Sequence, residues 1–221
     1  MDILKDILAW LSSHDTALFL FLNGMHNDFF DRLMWFVSDR FVWLPLYLLL
    51  ACLVMRRGGL RRGMLCLVFI AVAVCLADQA CSSLIRPLVG RLRPSNADNP
   101  ISVYVHTVNG YAGGRYGFPS CHAANTAALA FFLSSFFRRR RALVSLSLWS
   151  LLVSYSRIYL GVHYPGDILA GMLIGCSCAA VSASMFRHVE RWTCRYGGYM
   201  RCWWLFACHY MLGNGKRSRL R

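Results

Sequence analysis

The sequence predicts an all-α membrane protein, a polytopic bundle of five to six helices. Of its 221 residues, 57% are hydrophobic and only 15% are charged, whereas an ordinary soluble domain has about 25% charged residues. Five apolar segments follow one another, at 41–55, 64–85, 123–137, 143–160 and 168–186. Because a spanning helix needs about 20 mostly apolar residues, three of these segments are clear spans. The two shorter ones, 41–55 and 123–137, must extend beyond their apolar run to cross.

Basic residues are concentrated in three stretches between and after the apolar segments. The stretches 56–62, 138–141 and 187–221 hold 16 of the 24 Lys and Arg but one of the 10 Asp and Glu. With five spans all three stretches lie on one side, and the positive-inside bias makes that side the cytoplasm. The net charge of +14 therefore reflects topology, and no nucleic-acid partner is expected.

The first 37 residues predict helices at the membrane surface. The spacing of Ile3, Ile7 and Leu11 is that of an amphipathic helix, and 16–36 is apolar but interrupted by polar side chains. The second stretch is either an interfacial helix or a poor sixth span. No cleavable signal peptide is expected, since the apolar run after Thr16 is short and lacks a small-residue cleavage site.

The ten cysteines do not predict a metal site. Half of them lie inside apolar runs, where a free thiol behaves as a small hydrophobe. Cys176 and Cys178 form a C-x-C pair without a second Cys/His pair nearby, which makes zinc improbable on spacing. The sequence thus indicates no metal and no cofactor.

The two remaining connections, 86–120 and 156–167, face the non-cytoplasmic side and carry the unusual chemistry. Arg side chains bind phosphate oxygens bidentately, and helix N-termini, expected near Ser120 and Asp167, direct N–H groups at anions. His163 and Asp167 are four residues apart, so on helical backbone they share a face. A carboxylate on one ring nitrogen would leave the other free to attack phosphorus, and His122 would supply a proton.

These residues resemble the three-part signature of the type 2 phosphatidic acid phosphatases, a superfamily that includes bacterial membrane lipid phosphatases and vanadium haloperoxidases. The matching motifs are Arg86-x6-Arg93-Pro94, Pro119-Ser120-Cys121-His122 and Ser156-Arg157-x5-His163-x3-Asp167. The resemblance implies a phosphohistidine on His163, oriented by Asp167, with His122 as general acid and base. It also implies a phosphate-binding set and no metal; that set is Arg86, Arg93, Ser120, Cys121 and Arg157.

Two positions depart from the family pattern. The family usually has Lys where this chain has Arg86, which keeps the charge but changes the contact. It usually has Gly where this chain has Cys121, which places a thiol beside a positively charged site. Cys121 as the nucleophile is disfavoured, because a Cys-x5-Arg phosphatase needs Arg at the position of Ala127.

Three further polar residues keep more than one interpretation. Arg91 lies outside the pattern, and we expect it to face lipid head groups. Asp78 lies within a span, where an acid is a functional candidate by default, but pairing with a neighbouring polar group is favoured. His106 belongs to the loop 95–118, which is long enough to be functional, as a lid or a head-group reader.

The function predicted is that of an integral-membrane lipid phosphatase with its site on the non-cytoplasmic face, in a bacterial inner membrane. Undecaprenyl diphosphate, lipid A, phosphatidic acid and phosphatidylglycerol phosphate are all compatible substrates. A non-enzymatic lipid-binding or transport protein is the alternative, and a vanadate-dependent haloperoxidase a weaker one. We expect one membrane domain over 1–221, with N-terminal helices at 1–37, a catalytic core at 41–186 and a basic cytoplasmic tail at 187–221. The oligomeric state stays open.

Overall fold

The chain is helical throughout, as the sequence predicts. The computed structural model describes the backbone of residues 2–214 and the side chains of residue 3 and residues 5–193, so the last seven residues of the predicted tail lie outside it. No strand occurs in this part of the chain. It divides into two compact units, Met1–Ala183 and a second that begins at Ser184. The helices are α1 (Asp2–Asn23), α2 (Asp28–Ser38), α3 (Leu44–Gln79), α4 (Arg86–Val89), α5 (Cys121–Phe137), α6 (Arg140–Tyr159) and α7 (Pro165–Asn214).

Helix α3 is a hairpin of two arms, 44–58 and 60–79. Gly59 interrupts it with φ 68° and ψ 176°, a backbone conformation that favours glycine. Gly63 then lies directly against the first arm, since a Cβ at Gly63 would stand 3.0 Å from the Met55 Cα. The chain therefore reverses direction at the first arginine cluster, and the two apolar segments predicted at 41–55 and 64–85 form the two arms.

The remaining apolar helices agree with the predicted spans. Three helical stretches are long and apolar enough to cross a membrane, namely 40–89, which contains the hairpin, Arg140–Tyr159 and Pro165–Thr193. Helix α5 is shorter, with 17 residues, which is the lower end of the range for a spanning helix. The chain is an integral membrane protein.

The N-terminal helices differ from the expectation in one respect. We expected separate helices at 3–11 and 16–36, but α1 runs without a break to Asn23. In the polar stretch between the two segments, the side chains of Ser13 and His14 bond back to the Trp10 carbonyl oxygen, each at 2.8 Å. At its end the buried Asn23 side chain donates to the carbonyl oxygens of His106 and Tyr159 at 3.0 and 2.8 Å. Helix α1 is thereby fastened to the rest of the first unit.

Helices α5 and α7 approach each other closely through small residues. A Cβ at Gly171 would overlap the Ser120 carbonyl oxygen, and one at Gly175 would overlap the Ala124 carbonyl oxygen. Glycines four residues apart form a flat strip on one helix face, which allows two membrane helices to pack backbone to backbone. This contact sets the position of the first turn of α5 against the first turn of α7.

Replacing Gly175 by Ala tests that contact, because the sign of the change in stability distinguishes close packing from open space. In an open helix interior Gly→Ala stabilises by about 1 kcal/mol. At Gly175 we expect overpacking to cost about 1–3 kcal/mol instead, lowering Tm by a few degrees in detergent. Gly114→Ala is the control, since nothing lies within 4 Å of its Cβ position. An unchanged or raised Tm for Gly175→Ala would contradict the close packing.

Candidate active site

The two ends of the connection 86–120 lie side by side. Leu92 and Tyr116 form an isolated antiparallel bridge, and the Gly117 N–H donates to the Arg91 carbonyl oxygen at 2.9 Å. This pairing places Arg93 next to the segment that leads into α5. The first two sequence motifs therefore meet before the helices themselves come together.

Three arginines from three different segments converge at the start of α5. Arg86, at the beginning of α4, donates to the Pro119 carbonyl oxygen at 3.0 Å and to the Cys121 Sγ at 2.9 Å. Arg93 donates through Nε to the Tyr116 carbonyl oxygen at 3.1 Å. Arg157, 4% exposed at the end of α6, donates to the Ser38 and Tyr111 hydroxyls.

None of these five contacts is to a carboxylate. Among the ion pairs of the described residues, none joins Arg86, Arg93 or Arg157 to a carboxylate. Burial lowers the pKa of Arg93 from its ordinary value, and the charges of Arg157 and Arg86 lower it further. The cluster thus holds a surplus of buried positive charge, which an anion with several oxygens would neutralise.

Ser120 and His122 are placed by the first turn of α5. Ser120 caps the helix, its side chain accepting from the Ala123 N–H, and its own N–H donates to the Asp167 carbonyl oxygen at 3.0 Å. The first N–H groups of a helix have no partner within it, so those of Cys121 and His122 are available to an anion at the start of α5. His122 lies within electrostatic range of Arg93, Arg157 and His163.

His163 and Asp167 are adjacent in space, although only Asp167 lies on helical backbone. Helix α7 begins at Pro165, so His163 stands in the turn before it and Asp167 in the first helical turn. The His163 Nδ1 lies 3.5 Å from the Asp167 Oδ2, longer than an ordinary hydrogen bond. Both side chains are fully enclosed, at 1% and 0% exposure. Nδ1 thus faces the carboxylate, which leaves Nε2 as the nitrogen for other chemistry.

The expectation of a free helix N-terminus near Asp167 is wrong. The Asp167 Oδ2 reaches back to accept from the Tyr164 N–H at 3.0 Å, the reciprocal half of a capping box. Asp15, in α1, accepts from the Gly166 N–H at 2.7 Å. The N–H groups at the start of α7 are therefore occupied by carboxylates, and only α5 directs its N-terminus at the site.

Arg91 lies inside the site, which corrects the expectation that it faces lipid head groups. Its guanidinium donates to the Asp167 Oδ1 at 2.9 Å and pairs with Asp15 at 2.7 Å, and it stacks 3.7 Å above the Tyr164 ring. Sequence spacing gave no signal for Arg91, because its partner Asp15 is distant in the chain. Arg91 therefore positions the carboxylate that faces His163.

Gly117 is a second residue that the sequence did not indicate. A Cβ at this position would stand 3.1 Å from the Asp167 Oδ2, 3.1 Å from the Arg93 Cγ and 3.6 Å from the His163 Nδ1. The glycine backbone thus covers the His163–Asp167 pair on one side. Only a residue without a side chain fits there without displacing a member of the site.

The loop 95–118 is tied down by polar contacts. His106 binds Asp31 through Nε2 at 2.9 Å and stacks on His26 at 3.7 Å between ring centroids. Burial raises the pKa of Asp31, but hydrogen bonds from Tyr159 and His106 more than offset this and the pKa is lowered overall. His106 thus fastens the loop to α2, while Tyr111 of the same loop holds Arg157.

The comparisons with known proteins agree with this arrangement. Residues 62–191 match the family model described as PAP2 superfamily. A lipid A 4'-phosphatase from Bacteroides thetaiotaomicron is 46% identical over 76% of this chain and 75% of its own length. Another from Porphyromonas gingivalis is 35% identical, over 76% and 71%. The crystal structure of a transmembrane PAP2-type phosphatidylglycerolphosphate phosphatase from Bacillus subtilis superposes with TM-score 0.60 and 20% identity, covering 82% and 88%.

The chain belongs to the PAP2 superfamily, as the three motifs predicted. It is a membrane lipid phosphatase, a hydrolase of the class that the resemblance implied.

Arg91→Gln tests the positioning of Asp167. We expect kcat to fall about ten- to hundredfold, as for a small misplacement of a reacting group. We expect KM to change much less, because Arg91 contacts the Asp167 carboxylate and does not belong to the cluster of Arg86, Arg93 and Arg157. Steady-state kinetics on a lipid phosphomonoester give the two constants. Arg115→Gln, whose side chain is 64% exposed, is the control. A raised KM at unchanged kcat would place Arg91 on the substrate instead.

The charge state of His163 supplies a pH prediction. Burial lowers the pKa of His163 to about 4, and Arg93 and Arg157 lower it too, against the opposing effect of Asp167. A group with a lowered pKa keeps its neutral form until the pH falls to that value. In protein labelled with ¹⁵N-histidine, we expect the His163 ring signals to stay constant from pH 8 to about 5 and to titrate near 4. His163→Gln assigns the signals, and titration near 6.5 would contradict the prediction.

Proposed function

We propose that the site transfers a phosphoryl group from a lipid phosphomonoester to the Nε2 of His163, and then to water. The observation that carries this proposal is the surplus of positive charge from Arg86, Arg93 and Arg157, buried beside a neutral imidazole. A phosphate would supply the negative charge that neutralises this cluster and several oxygens that accept hydrogen bonds from the three guanidinium groups. We assign His163 as the nucleophile because its Nδ1 faces Asp167, which holds the ring in place and leaves Nε2 free to attack phosphorus.

The other residues take complementary roles. His122 protonates the leaving oxygen and later accepts a proton from the attacking water. The hydroxyl of Ser120 and the first N–H groups of α5 bind phosphate oxygens, with the Cys121 thiol held beside them by Arg86. Because arginines and a helix N-terminus supply the positive charge, the reaction needs no metal ion.

We place the site on the non-cytoplasmic face, which is the periplasmic face of an inner membrane in a Gram-negative cell. The arginine stretches 56–62 and 138–141 occupy the turns at one end of the helices, at Gly59 and between α5 and α6. The site residues occupy the opposite end, where α5 and α7 begin and α6 ends. The positive-inside bias assigns the arginine end to the cytoplasm, which supports this orientation.

Among the compatible lipids we propose the 4'-phosphate of lipid A as substrate. The support is the 46% identity to a lipid A 4'-phosphatase over three quarters of both chains, together with a cavity that opens from the site between apolar helices. A phosphomonoester presents a dianion to the three arginines.

The test is phosphate release by the purified protein in EDTA from a panel of lipid phosphates. We expect release from lipid A, no loss of activity in EDTA, and a loss of at least about a thousandfold in His163→Gln. His188→Gln, which changes a histidine outside the site, is the control. Acid-labile ³²P retained on wild-type protein and absent from His163→Gln would support the phosphohistidine.

Two outcomes would overturn the proposal. Release that His163→Gln retains would remove the histidine mechanism. Release from no lipid, with binding of lipid phosphates intact, would favour the transport alternative; bromide oxidation with vanadate and peroxide would favour the haloperoxidase.

A further inference from the structure

The cavity beneath the candidate active site has a thiol in its lining. It has a volume of about 590 Å³, and its walls come from both arms of α3, from α5 and from α6. Cys121 and His122 line it together at the start of α5. Cys121 is partly exposed, so a small molecule that enters the cavity contacts this residue.

A second thiol lies against Cys121. Cys81 belongs to the π-helical stretch 80–85 that joins α3 to α4, and its thiol donates a hydrogen bond to the Cys121 sulfur. The Arg86 guanidinium donates to the same sulfur at 2.9 Å. One sulfur therefore accepts from a thiol and from a cation, and both contacts favour its thiolate form.

The two cysteines differ in their access to a reagent. The thiolate is the nucleophilic form of cysteine, and reactive cysteines are partly exposed and lie in electropositive surroundings. Cys121 has both properties, because it lines the cavity and contacts Arg86. Cys81 is completely buried, at 0% exposure. An oxidant in the cavity therefore reacts with Cys121, and Cys81 is placed to react with the product on Cys121.

The acid within electrostatic range of Cys121 has a partner of its own. Asp78 accepts from the Asn125 Nδ2 at 3.0 Å, which is the pairing with a neighbouring polar group that the sequence favoured. Among the ion pairs of the described residues, none joins Arg86 to a carboxylate. The charge of Arg86 thus acts on the Cys121 sulfur without a competing salt bridge.

We propose that Cys121 and Cys81 form an oxidation site that closes to a disulfide in the presence of a hydroperoxide and switches the phosphatase off. The Cys121 thiolate attacks one oxygen of hydrogen peroxide. The O–O bond breaks, and the hydroxide that leaves takes a proton from the solvent and becomes water. The product on Cys121 is a sulfenic acid.

The second step forms the disulfide. The Cys81 sulfur attacks the sulfenic sulfur of Cys121, the S–O bond breaks, and the hydroxyl group leaves as water with the Cys81 proton. The two sulfurs lose two electrons and the peroxide gains them. Two thiols and one hydrogen peroxide therefore give one disulfide and two water molecules.

The disulfide acts on phosphoryl transfer through the first turn of α5. Bond formation draws the Cys121 sulfur toward Cys81 and away from Arg86, and Ser120 and His122 flank Cys121 in the chain. Misplacing a reacting group by about 1 Å costs about a hundredfold in rate, so we expect phosphate release to fall at least about tenfold. This effect on the rate rests on the proposed function, whereas formation of the disulfide does not.

The experiment treats the purified protein with hydrogen peroxide in EDTA and then with dithiothreitol. Phosphate release from lipid A is measured before treatment and after each step, and mass spectrometry of the alkylated, unreduced protein identifies the linked cysteines. For the wild-type protein we expect at least about a tenfold loss of release, a peptide that joins Cys81 to Cys121, and full recovery in dithiothreitol.

Three cysteine variants separate the two steps. In Cys81→Ser the untreated activity stays that of wild type, but peroxide takes Cys121 on to the sulfinic acid, so dithiothreitol no longer restores activity; Cys81→Ala repeats this test without a buried hydroxyl. Cys121→Ser lacks the attacking sulfur, and peroxide leaves its own untreated rate unchanged. Cys75→Ser is the matched control, because it makes the same substitution at an exposed cysteine of the same apolar segment, and it responds as wild type does.

Several results would overturn the proposal. These are a wild-type rate that peroxide does not change, a disulfide between another pair such as Cys81 and Cys178, which lie within electrostatic range of each other, and inactivation of Cys121→Ser as fast as wild type. Release from no lipid by the untreated protein would defeat the proposed function instead, and the peptide map would still test whether Cys81 and Cys121 become linked.

Discussion

The structure around the site depends on one buried carboxylate, that of Asp167. Its two oxygens accept from the Tyr164 N–H and the Arg91 guanidinium and lie opposite the His163 Nδ1, and the backbone carbonyl oxygen of Asp167 accepts from the Ser120 N–H. One residue thus joins the start of α7, the turn before it, the connection 86–120 and the cap of α5. An ionised group buried in this way is stable only when it is fully paired, so the four segments are held in one arrangement by the need to satisfy it.

The arginines around this carboxylate form two groups that differ in their partners. Arg91 is neutralised by Asp15 and Asp167, whereas no carboxylate of the described residues pairs with Arg86, Arg93 or Arg157. Desolvated like charges raise the free energy of the empty site, and the same charges strengthen the binding of a dianion that enters it. Arg91 holds the Asp167 carboxylate beside His163. The negative charge of Asp167 therefore does not cancel the positive charge of the other three arginines. The site therefore combines a neutral imidazole, that of His163, with a cluster of arginines that no carboxylate of the described residues neutralises.

Much of this arrangement could be predicted from the sequence. The rest could not, because it depends on contacts between segments that are distant in the chain. The span pattern, the arginine turns and the three motifs are local, since each is a run of residues whose composition carries its meaning. Asp15 and Gly117 carry no such signal: an exposed-looking acid in an amphipathic helix and one glycine among many become part of the site only through contacts with segments far away in the chain. The i,i+4 spacing of His163 and Asp167 straddles a helix boundary, because Pro165 at the first helical position starts α7 after the histidine.

Helix α5 connects the candidate active site with the cavity beneath it. Ser120 caps it, His122 lies in its first turn, Asn125 is on the next turn along the same face, and its small residues Ala123, Ala124 and Ala127 are buried. The alanines and the glycines of α7 bring the helices close enough to fix the rotation of α5 about its axis. A rotation of α5 about its axis that moved His122 away from the three arginines would also turn Asn125 out of the cavity lining. The positions of Ser120, His122 and the cavity lining on α5 are thus set by one packing interface, the contact of α5 with Gly171 and Gly175.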